Sequence, residues 1–210
     1  MDKKIRNKQD IKLNPRKLAS KVGAKETVKS ILDAAALILE QEGFEHYTTN
    51  RIAGRAGVSI GSLYQYFPNK DAITITLIER ESESLLVRIE EAVRASSLSE
   101  GIRALIRAAV NYQMTRPTLA KILDFEEARL EVLNAPFKNA AIAKSLLSEF
   151  FSKHVPPSMP VATVVGDVMA IMRVLNDRAG ANDDRNMEKL EKKIFAAVTG
   201  YLLFYSLVIR

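Results

Sequence analysis

The side chains of this chain best suited to chemistry are hydroxyls, amides and one lysine gathered in a short stretch: Thr49, Asn50, Ser59, Ser62, Tyr64, Gln65, Tyr66 and Lys70. Such groups hydrogen-bond to phosphate oxygens and base edges; they do not form a proton-transfer or nucleophilic pair. Ile60 and Gly61 sit among them, the first offering only apolar contact and the second permitting close approach of a backbone. Elsewhere the residue types that support catalysis are sparse or badly spaced. Cysteine is absent, which removes disulfides, thiolate metal sites and thiol redox chemistry and fits a reducing, cytoplasmic setting. The two histidines, His46 and His154, are too far apart in sequence to suggest a metal site. There is no glycine-rich phosphate loop, no Gly-x-Ser-x-Gly and no His-Glu-x-x-His. Glu126 and Glu127 are adjacent, so on a helix they cannot face one site together and read as a solvated edge. Neither an enzyme activity nor a metal or cofactor is expected.

The elements that must position the polar stretch are helical. Val28, Ile31, Leu32, Ala35, Ile38 and Leu39 recur at i, i+3, i+4 spacing and Gly43 follows as a stop. A polar link over 45–49 leads to a short helix over 50–56, broken by Gly57, and to a second over 59–66 with Ser59 as N-cap. Pro68 and Asn69 end that unit, and Asn69 can cap a long helix reaching about residue 95. After a turn at Ser96-Ser97-Leu98-Ser99, helical patterns cover 100–115, 117–133 and 136–154. A break at 155–160, rich in proline, precedes helices over 161–179, ending at Gly180, and 187–209. Strand alternation and hairpin signals are missing, so the chain reads as all-α.

Within residues 48–70 the residue sizes specify a tight helix pair. Ala53 is small where the first helix must admit the second, Gly57 can take the positive φ that reverses the chain, and Val58 and Leu63 are apolar where the second helix packs back on Ile52. This is the pattern of a helix-turn-helix, whose second helix enters the major groove. Its exposed edge would be Ile60, Gly61, Ser62, Tyr64, Gln65 and Tyr66.

The chain here resembles the tetracycline-repressor (TetR) family of transcriptional regulators. The resemblance rests on Ile31-Leu32-Asp33-Ala34-Ala35, Glu42-Gly43-Phe44, Thr48-Thr49, Ile52-Ala53, Ala56-Gly57-Val58-Ser59, Gly61-Ser62-Leu63-Tyr64, Tyr66-Phe67 and Asn69-Lys70, and covers about residues 26–80. It implies an N-terminal helix-turn-helix domain, a C-terminal helical domain for ligand binding and dimerisation, and repression relieved by a small molecule. It further implies that Thr49 caps the first helix of the motif and meets a phosphate, with Asn50 next in line to reach a base. Ile60, Gly61 and Ser62 would lead the recognition helix, Tyr64 and Tyr66 would donate hydroxyls to phosphates, and Lys70 would pair with a phosphate at a helix N-terminus. Ile60 departs from hydrogen-bonded readout, so a thymine methyl or DNA shape would be read there. Either tyrosine could instead serve as a core aromatic.

Charge divides the chain. Residues 1–25 carry Lys3, Lys4, Arg6, Lys8, Lys12, Arg16, Lys17, Lys21 and Lys25 against Asp2 and Asp10, whereas 26–84 are net acidic. The first 25 residues are expected to form a flexible basic arm that meets DNA or stays solvated, with no apolar run to make it a secretory signal. The expected division is arm 1–25, DNA-binding domain 26–80, and ligand-binding and dimerisation domain 81–210.

In that last part, Tyr112, Gln113, Met114, Leu119, Ile122, Leu123, Phe125, Phe137, Phe150 and Met172 offer lining for a pocket between helices, or an ordinary core. Few charged residues fall at core-facing positions, which favours an apolar or aromatic ligand. The charge-free run 194–209 is shorter than the roughly 20 residues that span a bilayer. A helix apolar on nearly all sides is otherwise buried, and the resemblance makes the last two helices a homodimer interface built as a four-helix bundle. The partners expected are operator DNA, a second copy and a small-molecule effector, with no membrane. The rival readings are a membrane-associated helical protein anchored by 194–209 and a helical carrier of small molecules.

Overall fold

The computed structural model describes residues 22–181 and 186–208, which form helices and connecting turns with no strand. In order, these are α1 (Val22–Glu42), a 3-10 turn (Phe44–His46), α2 (Thr49–Ala56), α3 (Ile60–Tyr66), α4 (Lys70–Ala92), α5 (Leu98–Thr115), α6 (Pro117–Glu131), α7 (Lys138–His154), α8 (Val161–Ala181) and α9 (Met187–Val208). Residues 22–25 of the expected arm open α1; its remainder lies outside the described residues.

Two compact units emerge. The first comprises the residues up to Leu77 together with Arg129–Pro136, and the second Ile78–Ala128 with Phe137–Arg210. The return of Arg129–Pro136 to the first unit has no counterpart in the hydrophobic pattern. Within that unit Arg129 pairs with Asp71 in the first turn of α4 at 2.6 Å.

The first unit is assembled by its caps. Thr48 is extended and its hydroxyl accepts from Arg51 N, so Thr48, not Thr49, caps α2. The reason is geometric: an N-cap keeps non-helical φ/ψ, and Thr49 is already the first helical residue. Gly57 sits at φ 69°, left-handed as the turn requires, and its N–H closes on Ala53 O and Gly54 O. Ser59 Oγ then accepts from Ser62 N at 3.0 Å to start α3, and Asn69 Oδ1 accepts from Ala72 N at 2.8 Å to start α4. Ile31, Ile38, Leu39, Ile52, Leu63, Phe67, Ile73 and Leu77 form the apolar interior beneath these turns. Tyr47 is buried with them, its hydroxyl 3.1 Å from that of Thr74.

In the second unit Phe150, Phe151, Val164, Val165, Ile194 and Val198 centre a core fed by α5, α7, α8 and α9. Ser97 caps α5 through Glu100 N, so the helix starts two residues before the turn residues suggest. The helix α8 runs past Gly180 to Ala181. Gly101 is buried where α5 meets Phe150: a Cβ at Gly101 would overlap the ring, 2.6 Å from Cε2. Phe150 cannot yield easily, being packed edge-on to Phe151 and against His154. Alanine favours a helix by about 1 kcal/mol over glycine, but overpacking a core costs about 1–3 kcal/mol. Gly101→Ala should therefore lower the thermal midpoint despite its better helix propensity; an unchanged or raised midpoint by circular dichroism would contradict this packing.

Along α9, Leu190, Ile194, Val198 and Tyr205 are buried, whereas Leu203 and Phe204 are 69% and 61% exposed. No helix among the described residues is long and apolar enough to cross a membrane.

Candidate nucleic-acid interface and ligand cavity

The helix α3 is held by one buried side chain, Leu63, and shows the rest of its surface outward. Ser59, Ile60, Gly61, Tyr64 and Gln65 are exposed, and Ser62 and Tyr66 half-buried. Ser59 and Ser62 hydroxyls lie 2.8 Å apart, so each is oriented by the other. The Tyr64 hydroxyl is 3.2 Å from that of Thr49, which ties the outer edges of α2 and α3; Asn50 stands exposed beside Thr49. The Lys70 ammonium lies over the Phe44 ring, 4.2 Å from its centroid, and 5.5 Å from that of Tyr47. A cation held this way at the start of α4 keeps its charge near a helix N-terminus, where an anion is favoured. Of the expected DNA-facing residues, Thr49 and Asn50 fall on α2, Ser59 caps α3, Ile60, Gly61, Ser62, Tyr64, Gln65 and Tyr66 fall on α3, and Lys70 opens α4.

Sequence reasoning missed the internal use of the unit's cations. Glu42 receives Arg51 Nε at 2.6 Å and Arg55 Nη1 at 3.0 Å, and Gln41 receives Arg55 Nη2 at 2.9 Å. These pairs staple α2 to the end of α1 and neutralise charge that a phosphate would otherwise use. The Glu42-to-Arg51 and Arg55 spacing carries no local helical signal, because the partners lie on different helices.

The second unit contains a cavity of about 200 Å³. Of the expected lining residues, Tyr112, Gln113, Leu123 and Met172 line it, and Leu119 is buried outside the lining. Phe150 belongs to the core, Phe137 is buried at the start of α7, and Met114 packs on the core cluster. Phe125 is 70% exposed, and Ile122 is half-buried outside the lining. The cavity wall also includes Glu79, Asp124, Glu127, Arg173 and Asn176, so charged groups are not scarce there. The expectation that Glu126 and Glu127 form a solvated edge is corrected: Glu126 is fully buried and Glu127 lines the cavity. Adjacent residues on α6 point some 100° apart, and here both directions lie inside. The i, i+3 placement of Asp124 and Glu127 next to Leu123 was the available signal.

Burial pushes the Asp124 carboxyl up to about 6; Arg173 opposes, Asp177 adds, and a Gln113 hydrogen bond opposes. Burial likewise raises the Tyr112 phenol, reinforced by Asp124, Glu127 and Glu81, so it stays a neutral donor.

Comparison with known proteins agrees with this architecture. Residues 31–76 match the family model of bacterial regulatory proteins, tetR family. The nucleoid occlusion factor SlmA of Haemophilus influenzae is 32% identical over 120 residues, 54% of this chain and 55% of that protein. That of Glaesserella parasuis is 29% identical over 123 residues, 56% of this chain and 61% of its own. The chain thus spans about three fifths of the length of the curated relatives it matches. Among solved structures, the fatty acid degradation regulator FadR of Bacillus halodurans superposes with a TM-score of 0.70 at 18% identity, covering 82% of this chain and 94% of that one. The TetR-like regulator LfrR of Mycobacterium smegmatis, in complex with proflavine, gives 0.62 at 19%, covering 84% and 96%. FadR of Bacillus subtilis, in complex with stearoyl-CoA, gives 0.67 at 21%, covering 81% and 96%. Residues 31–76 are thus similar to the tetR family of bacterial regulatory proteins, and the described residues share the fold of these solved regulators.

Proposed function

We propose that the chain is a ligand-responsive transcriptional regulator, acting in the cytoplasm, that binds a roughly palindromic operator as a homodimer and is released by a small molecule. One observation carries the DNA-binding reading. The helix α3, turned on Gly57 and capped by Ser59, presents Ile60, Gly61, Tyr64 and Gln65 outward with only Leu63 in the core. A short helix so mounted fits the major groove. Dimerisation through α8 and α9 is supported by apolar side chains exposed on both helices, Val174 on the first and Leu203 and Phe204 on the second. In a two-fold dimer the two α3 helices would address successive major grooves, about 34–36 Å apart.

Release by a ligand is supported by the course of α6. This helix carries Leu123, Asp124 and Glu127 in the cavity wall and Arg129, two residues on, in the ion pair with Asp71 at the start of α4. Lys70 is the neighbouring residue. A ligand that repositions α6 would act on the same helix start that is proposed to meet phosphate.

A mobility-shift titration with the DNA upstream of its own gene tests the proposal; no shift above that of random DNA would reject it. Roles within the motif separate by substitution. Tyr66→Phe removes one hydroxyl and should weaken all operator variants alike, by about 0.5–1.5 kcal/mol for a neutral hydrogen bond. Ser62→Ala should instead change the ranking among operator variants, because Ser62 lies on the leading turn of α3. The opposite pattern would reverse the two assignments.

A further inference from the structure

The wall of the cavity is unequal in charge and in hydrogen-bonding sense. Three carboxylates line it, Glu79 on α4 and Asp124 and Glu127 on α6, against one described cation, Arg173 on α8. The amide donors of Asn139 and Gln113 are already used. The Asn139 amide nitrogen donates to Glu79 O at 2.8 Å and to Ser82 Oγ at 3.1 Å. That of Gln113 reaches Asp177 Oδ1 at 3.4 Å and also serves Asp124. Acceptors are in surplus. Asn176 is 4% exposed and lines the cavity, yet its buried Oδ1 has no hydrogen-bond partner. A buried acceptor left unmet is unfavourable, and a ligand N–H would satisfy it.

Building on the proposal that this cavity receives the effector, we infer that the cavity takes an amphipathic organic cation, an aromatic or apolar body bearing N–H donors on a positive centre. The body would lie against Leu86, Tyr112, Phe151 and Met172. The positive end faces Asp124 and Glu127, and an N–H reaches Asn176. Glu79 contributes less, because the Asn139 backbone N–H near the start of α7 already points at both its oxygens, 3.3 Å away. An anionic head would meet the same carboxylates as repulsion, with Arg173 the one described lining cation to offset them.

Proton competition gives the inference a second signature. The carboxyl of Asp124, raised by burial to about 6, interacts with Gln113 and Tyr112 from α5 and with Arg173 and Asp177 from α8; Glu127 on α6 and Glu79 on α4 line the same cavity, and Glu127 and Glu81 act on Tyr112. A cation favours the ionised form, so its binding releases a proton where Asp124 is otherwise protonated. Cation affinity should hold at pH 7.5 and fall as pH drops through about 6.

The test uses three fluorescent probes on the full chain without DNA at pH 7.5: cationic proflavine, neutral N-phenyl-1-naphthylamine and anionic anilinonaphthalene sulfonate. Proflavine should bind about tenfold or more tighter than either of the others, and Asp124→Asn and Glu127→Gln should each weaken it about tenfold. The neutral probe should bind both variants as it binds the unaltered chain, which also shows that the cavity is still formed. Equal or tighter binding of the neutral or anionic probe, or proflavine affinity indifferent to both substitutions and to pH between 7.5 and 5, would overturn the inference while leaving an effector cavity. Failure of all three probes to bind would overturn the effector cavity itself, and the inference with it.

Discussion

Replacing Leu203 and Phe204 together by glutamate should convert the protein from a dimer to a monomer at micromolar concentration and weaken operator binding by more than about a hundredfold. Both side chains are largely exposed in the protomer, so the substitutions remove little that the single chain has buried. Each large apolar side chain taken from water contributes about 1.5–3 kcal/mol. A two-fold interface uses each of them twice, so the pair accounts for about 6–12 kcal/mol before four buried carboxylates add their desolvation cost. DNA affinity follows because a dimer engages two half-sites at once, and a monomer must bind each separately. Light scattering and operator titration read the two effects together. Val87→Glu, on an exposed position of α4, is the matched control and should leave both unchanged. A double variant that remains dimeric and binds its operator normally would remove α9 from the interface.

The N-terminal unit was legible because its signals are local. Gly57, Ser59 and Asn69 act on backbone groups within four residues of themselves, and structure and pattern agree there. The cap of α2 was misplaced by one residue because Thr48 and Thr49 have the same chemistry, and only their dihedrals distinguish them. The cavity of the second unit was far less legible. Aromatic residues were expected to line it, but Phe150 is needed against Gly101 and Phe125 faces outward. Asp124, Glu127 and Asn176 reach the cavity because α6 and α8 pack with polar positions inward. An average of hydrophobicity around a helix cannot show that. Arg129, in the segment grouped with the first unit, pairs with Asp71, 58 positions away in sequence, a contact that no local pattern encodes.

Deletion of residues 1–20 should weaken operator binding at low salt and flatten the dependence of log K on log salt by about 2–4 per dimer. The folded first unit, proposed to bind DNA, is poorly supplied with available cations. Arg51 and Arg55 are drawn to Glu42, and Lys70 rests over Phe44. Residues 26–84 as a whole hold Lys29, Arg51, Arg55, Lys70 and Arg80 against nine acids. Affinity for DNA at physiological salt depends on neutralised phosphates, so charge must come from elsewhere. Residues 1–21, outside the described residues, carry eight lysines and arginines against two aspartates. Ending the deletion at residue 20 spares the start of α1 at Val22, and with it the fold of the unit. One or two phosphate contacts per arm, each worth about 0.9 in slope, give the expected change. Between 50 and 200 mM salt the cost of the deletion should then shrink by about 15- to 250-fold. Preference among operator variants should stay the same, because phosphate contacts carry no base information. Ligand affinity should not change either, since every described residue of the cavity wall lies beyond position 77. Operator titrations of the intact and shortened chains across a salt series decide the matter: two parallel lines would mean that the arm neutralises no phosphate, and the binding unit would have to release Arg51 and Arg55 from Glu42 to do so.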